Sequence, residues 1–252
     1  MIDRDRPLLD RVAVVTGATG GLGSAICRTL ARAGARVVLT FRRHEAAAHS
    51  LMEQLTGEGH ESVKADVTDS ASLARLARAD GDRYGTVDLL VNSVGTTRFV
   101  PHADLAALDD DLIDEIFRTN WRGPFATIRA LEPLLSNRDG GLVVNISSLA
   151  AVSGVGSNVA YCASKAALNT MTVSLARALA PAVRVVSISP GLVDTDFIKG
   201  LDPEWRQEQA KRTPLGRLAS PEDVGRAVLA VATMLSYSTG CIISVDGGRL
   251  LA

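Results

Sequence analysis

Hydrophobic residues fall into short β-branched runs, separated by longer stretches whose apolar positions recur every three or four residues. The runs are Arg11–Thr16, Arg36–Phe41, Glu61–Val67, Val87–Asn92, Gly141–Ser148 and Val183–Ser189, with a last one in CIISVDGG from Cys241. Short continuous apolar runs of this kind read as strands buried on both faces. Between them the spacing predicts helices over residues 21–34, 44–57, 69–83, 109–135, 157–180 and 221–235. Gly34 ends the first and Asp69 caps the third. A polar, proline-broken segment runs up to Ser220. Strand–helix alternation predicts an α/β fold, a Rossmann-like doubly wound parallel sheet of about seven strands with helices on both faces. No repeat, linker or break in composition divides residues 1–252, so one domain is expected, with a lid at about 194–214.

Composition narrows the function. Hydrophobic residues are 46% and charged residues 22% of the 252, as in soluble globular proteins. Net charge is −1 with a pI near 6.4, without the basic stripe of a nucleic-acid binder, so no nucleic-acid partner is expected. The scattered Cys27, Cys162 and Cys241 read as reduced, packed thiols and point to a cytoplasmic location. The opening MIDRDRPLLD lacks the apolar core of a signal peptide, and no apolar run is long enough to span a membrane. His44, His49, His60 and His102 have no metal-ligand spacing, so no metal is expected.

Ligands of such sheets bind beyond the carboxyl ends of the strands. TGATGGLG lies there, between the first strand and first helix, with Gly17, Gly21 and Gly23 in a G-x-x-x-G-x-G pattern. A helix start offers unpaired N–H groups to a phosphate, and glycine lets the backbone approach it. At the end of the second strand, where an acid would hold ribose hydroxyls, Phe41 is followed by Arg42 and Arg43. A guanidinium bonds a 2′-phosphate that a carboxylate would repel. NADP(H) is therefore expected over NAD(H), the alternative being two solvated surface arginines. In AYCASKAAL, Tyr161 and Lys165 share one helix face among small residues. A phenol beside an ammonium is either a proton donor or an ordinary helix surface.

Together TGATGGLG, ADV, NSVG, Asn120, Ser148, YCASK and PGLVDT make the chain resemble the short-chain dehydrogenase/reductase family from Arg11 to Gly248, most nearly its β-ketoacyl thioester and related ketone reductases. The resemblance implies roles. Gly17, Gly21 and Gly23 would cradle the pyrophosphate, with Thr19 and Leu22 of the same turn also at the cofactor. Arg42 would read the 2′-phosphate, and Asp66 the adenine amino group with Val67 beside it. Asn92 and Gly95 would lie near the cofactor, and Pro190, Gly191, Val193 and Thr195 would border the nicotinamide. Ser148 would hold the substrate carbonyl and Tyr161 would donate the proton. Lys165 would bind the ribose and lower the tyrosine pKa, and Asn120 would hold a linking water. Asp66 also reads as a turn and helix cap, and Asn120 as the cap of a local bend. Ser93 and Val94 depart from the family's usual Asn-Asn-Ala-Gly, and Ser147 beside Ser148 leaves the serine resting on its distance from Tyr161.

The implied reaction is NADPH-dependent reduction of a ketone, either a 3-oxoacyl thioester or a small or cyclic ketone. An NAD-dependent alcohol or sugar dehydrogenase and a non-catalytic dinucleotide-sensing scaffold are the alternatives. Phe99, His102, Ala150, Val155, Leu192, Phe197 and Trp205 are candidate substrate-side residues. Arg138 is a candidate for docking a carrier protein, offset by Asp139. A homotetramer or homodimer is expected, through the helices around 109–135 and 157–180.

Overall fold

The structure, a computed structural model, describes residues 6–137, 140–195 and 202–251. Seven parallel strands lie in the order β3-β2-β1-β4-β5-β6-β7. They are β1 (Val12–Thr16), β2 (Arg36–Phe41), β3 (Glu61–Lys64), β4 (Leu89–Asn92), β5 (Gly141–Ile146), β6 (Val183–Pro190) and β7 (Ile242–Val245). The chain leaves β1 toward one edge and returns past it to β4, so the strand order reverses between them. That switch opens a crevice at the carboxyl ends of β1 and β4.

Alternation along each strand builds two cores. Ala13, Val15, Val37, Leu39, Val91 and Val144 face one way, onto α1 (Gly21–Arg32), α2 (Glu45–Glu53) and a late helix over Pro221–Thr233. Val12, Val14, Val38, Leu90, Val143 and Val185 face the other, onto α3 (Ser70–Tyr84), α5 (Gly123–Leu135) and α7 (Val159–Leu179). Each such buried Val or Leu contributes about 1.5–3 kcal/mol of transfer free energy. The expected doubly wound α/β sheet is the observed one.

Several boundaries differ from the expected ones for local reasons. β3 stops at Lys64 because Asp66 turns the chain, its Oδ1 accepting from the Thr68 N–H at 2.8 Å. β5 ends at Ile146, which leaves Ser147 and Ser148 in the loop before the short α6 (Ala150–Ser153). The expected 109–135 helix is α4 (Asp110–Phe117), a π turn (Arg118–Arg122) and α5. Pro124 has no N–H for the Asn120 carbonyl four residues back, so the chain widens there. The expected lid segment at about 194–214 contains α8 (Pro203–Lys211), and α9 is the helix Pro221–Thr233. Among the described residues no helix is long and apolar enough to cross a membrane, and no group of three metal-ligating side chains forms. Phe197, Arg138 and Asp139 lie outside the described residues.

Candidate active site

The glycine-rich turn shows why side chains are excluded from it. Gly17 has φ +66, and a Cβ there would meet Val94 Cγ2 at 3.0 Å. A Cβ on Gly23 would lie 2.2 Å from the Gly17 carbonyl oxygen. No side chain caps α1 and its first turn holds no acid, so its N-terminal N–H groups keep their positive field for an anion. This cradle fits a dinucleotide pyrophosphate.

A cavity of about 330 Å³ adjoins it, lined among others by Gly17, Thr19, Arg42, Asp66, Val67 and Gly95. A larger hollow of about 550 Å³ lies by Arg36 and Gly59 at the amino end of β2, with none of the expected site residues in its wall. Arg42 Nη1 is 4.0 Å from Asp66 Oδ2, and both side chains are partly exposed, so the pair is loose. Asp66 Oδ1 is already shared by the Thr68 N–H (2.8 Å) and Oγ1–H (2.7 Å). Burial works to raise the Asp66 pKa, but the Thr68 hydrogen bonds, Arg42 and Arg43 together hold it below its usual range. Of this carboxylate, Oδ2 is the oxygen without a Thr68 bond.

The other expected residues separate into groups. Thr195 lies against the glycine turn, since a Cβ on Gly21 would meet its Cγ2 at 3.2 Å. Val193 pairs with Ala219, and Gly191 donates to the Val245 carbonyl, so Pro190–Thr195 runs on from the end of β6, outside the cavity wall. Leu22, in the first turn of α1, is partly buried and packs against the core. Asn92 turns inward and donates to Asn145 Oδ1 at 2.9 Å, and Asn145 donates to Thr172 at 2.9 Å. Its side chain stitches β4 to β5 and does not line the cavity, whose wall continues with Ser93 to Thr96.

Ser148, Tyr161, Lys165 and Asn120 come together where β4 and β5 end. Ser147 is buried and its hydroxyl donates to the Lys165 carbonyl at 3.3 Å, so it serves the helix. Ser148, whose hydroxyl accepts from the Ala150 N–H at 3.1 Å, is the serine close enough to the Tyr161 hydroxyl to act on its pKa. Lys165 is 4% exposed, donates to the Ile146 carbonyl at 2.9 Å, and lies 5.9 Å from the Tyr161 ring centre. Burial pushes its ammonium down to about 8. Asn120 is fully buried in the π turn; it accepts from the Thr96 N–H (2.8 Å) and donates to the Thr96 carbonyl (3.0 Å) and Ser164 (3.1 Å). A Cβ on Gly95 would lie 3.7 Å from both Asn120 Oδ1 and Lys165 Nζ, so Gly95 sits between them.

The net shift of the Tyr161 pKa is opposite to the expected lowering: burial raises it, Ser148 offsets part of that, and Cys162 adds to the rise. The phenol therefore stays protonated at neutral pH, as a proton donor requires. Of the residues expected on a substrate side, Phe99 and Val155 are exposed, whereas Ala150 is buried. His102 bonds the Gly156 carbonyl at 3.2 Å, and Asp194 pairs with Arg206 of α8 at 2.6 Å.

The family model described as enoyl-(acyl carrier protein) reductase matches residues 17–249. The chain is 37% identical to ketoacyl reductase 2 of granaticin polyketide synthase from Streptomyces violaceoruber, over 95% of this chain and 96% of that one. The solved structure of a short-chain dehydrogenase/reductase of Brucella melitensis, named glucose/ribitol dehydrogenase, superposes with a TM-score of 0.88 at 32% identity, over 97% of this chain and 98% of that one. The chain belongs to the short-chain dehydrogenase/reductase family. Another family relative, 35% identical over 95% of this chain and 96% of that one, is cis-4-hydroxycyclohexanecarboxylate dehydrogenase from Sinomonas cyclohexanicum. In this short-chain dehydrogenase/reductase, sequence reasoning passed over Gly123, where a Cβ would strike Val67 Cγ2 at 2.8 Å, and Asn158, which caps α7. An Asn just before a helix was the available signal for the second.

Proposed function

We propose that the chain is an NADPH-dependent oxidoreductase that reduces a ketone to a secondary alcohol, the ketone being a 3-oxoacyl thioester or a small or cyclic ketone. The observation that carries this is the meeting of Ser148, Tyr161, Lys165 and Asn120 beside the glycine cradle. The bound nicotinamide would supply the hydride. Ser148 and Tyr161 hold the carbonyl oxygen, where negative charge grows, and Tyr161 gives it a proton. Lys165 holds the ribose and supplies positive charge near the phenol; Asn120 orders the water beside it. The cradle residues, with Asp66 and Val67 at the adenine and Pro190–Thr195 at the nicotinamide, hold the dinucleotide. The polyketide and cyclohexane relatives support the two ketone classes. The reading extends to a cytoplasmic homotetramer through the 109–135 and 157–180 helices, supported by exposed Trp121, Val159 and Val173; sedimentation as a monomer alone would refute the assembly.

The deciding assay is the initial rate of reduced-cofactor loss with acetoacetyl thioester and with 4-oxocyclohexanecarboxylate, using NADPH and NADH. Turnover with NADPH supports the reading; turnover only in the oxidative direction with NAD favours an alcohol or sugar dehydrogenase. Arg42→Ala should weaken NADPH binding about 10- to 100-fold, the loss of one charge-assisted bond, and leave NADH nearly unchanged. Equal losses would mean that Arg42 does not contact the phosphate.

The reduction rate should also fall as pH rises through about 8. Burial sets the Lys165 pKa there, so its positive charge is present below that pH and lost above it, while the raised phenol keeps its proton. Lys165→Arg, which stays charged, should move this limb to higher pH at reduced kcat. A wild-type rate that stays flat to pH 10 would rule out Lys165 as the group responsible.

A further inference from the structure

Tyr161 is tied to the substrate side of the crevice by a residue without an assigned role. Asn158 is fully buried at the start of α7. Its Oδ1 accepts the Tyr161 N–H at 2.7 Å, and its Nδ2 donates to Thr97 Oγ1 at 3.1 Å and to the Arg98 carbonyl at 2.7 Å. Both amide protons and the carbonyl oxygen are thus engaged, one side on the helix and the other on the segment after β4. Neighbouring bonds reinforce the tie: Thr97 and Ser157 hydroxyls meet at 2.6 Å, and the Val100 N–H donates to the Ser157 carbonyl at 2.8 Å. Asn120 holds the preceding residue, Thr96, by both its N–H and its carbonyl.

Residues 96–100 therefore form a strap pinned at successive positions. The side chain it presents is Phe99, 73% exposed although the backbone on both sides of it is bonded. An exposed aromatic on fixed backbone has already lost the chain entropy that binding would otherwise cost. We propose that Asn158 is a positioning residue that sets the register between Phe99 and the Tyr161 hydroxyl. An alicyclic or aryl flank of a ketone resting on Phe99 is thereby delivered to Tyr161 at hydrogen-bond distance. This inference rests on the reductase reading above.

Asn158→Asp tests it, because a carboxylate still accepts the Tyr161 N–H but cannot donate to Thr97 or Arg98. The expected result is a melting temperature lowered by the unpaired buried carboxylate, NADPH affinity retained, and kcat/KM for a cyclic ketone reduced about tenfold or more. Phe99→Ala should lower kcat/KM for that ketone in the wild-type background and have little further effect beside Asn158→Asp. Additive losses, or Asn158→Asp kinetics within about twofold of wild type, would overturn the inference. So would a loss that Asn158→Ser, an equally good cap lacking the amide NH2 that bonds Thr97 and Arg98, fails to reproduce. Amide hydrogen exchange separates this from failure of the reductase reading. Faster exchange at 97–100 in Asn158→Asp, with 162–166 unchanged, supports the tie even if no ketone is turned over; an unchanged pattern overturns it.

Discussion

Tyr161→Phe should lower kcat for ketone reduction by about 10²- to 10⁴-fold, the range that a positioned general acid contributes, and leave NADPH bound as before. The substitution removes one hydroxyl and keeps the ring, which packs beside Gly156 and below Lys165. Ser148 remains to bond the carbonyl oxygen, so substrate affinity should fall less than kcat. The proton donor is what disappears: in this site burial raises the phenol pKa, and the Ser148 hydroxyl bonds the Ala150 N–H and no titratable side chain among the described residues. Single-turnover mixing with NADPH, followed by the loss of reduced-cofactor absorbance, measures the chemical step directly. A chemical step within about threefold of wild type would remove Tyr161 as the acid and send the search to a water held by Lys165 and Asn120. Enhanced NADPH fluorescence on binding, equal in both proteins, shows that the cofactor site survives.

The largest stability effect is expected far from this crevice. Asp80 on α3 is fully buried, and neither of its carboxylate oxygens has a hydrogen-bond partner. Burial, with Glu61 nearby, raises its pKa to about 7 from 3.8. The folded protein thus holds a proton that the unfolded chain releases between those values. Stability from this group is complete below about pH 4 and is lost as pH rises through about 7. Asp80→Asn cannot ionise and escapes that loss. Relative to wild type, the variant should gain about 2.5 kcal/mol between pH 5 and pH 8, from the pKa difference at 1.36 kcal/mol per unit. Taking the difference between two pH values cancels the cost of an unpaired buried amide, about 1–3 kcal/mol at either pH. Urea unfolding at both pH values measures it. A variant curve parallel to wild type would show that the Asp80 carboxyl does not titrate between them.

How much of the site could be read without coordinates depends on the range of the interaction. The strand runs, the glycine turn and the Tyr161–Lys165 pair are local: they follow from β-branching, from φ +66 at Gly17 and from helix periodicity. Each is encoded within a few residues, so the residues themselves determined the α/β sheet and brought the expected motifs to its carboxyl edge. Long-range bonds were not encoded this way. Nothing in NSVG says that Asn92 will reach Asn145 on the next strand while Ser93 to Thr96 line the cavity. The Ser147–Ser148 pair is ambiguous in sequence, because a one-residue shift exchanges the two faces. The structure separates them by aiming Ser147 at the Lys165 carbonyl and Ser148 at Tyr161. The Tyr161 pKa was misjudged for a related reason: residue spacing supplies a nearby charge, whereas burial depends on everything packed around the ring. Thus the sequence by itself determined the fold and the kinds of group gathered at the strand ends. Only the tertiary structure decided which serine lies beside the phenol and that Asn158 joins Tyr161 to Thr97 and Arg98. Those outcomes depend on hydrogen bonds between residues as many as 61 positions apart, a separation at which local propensity carries no information.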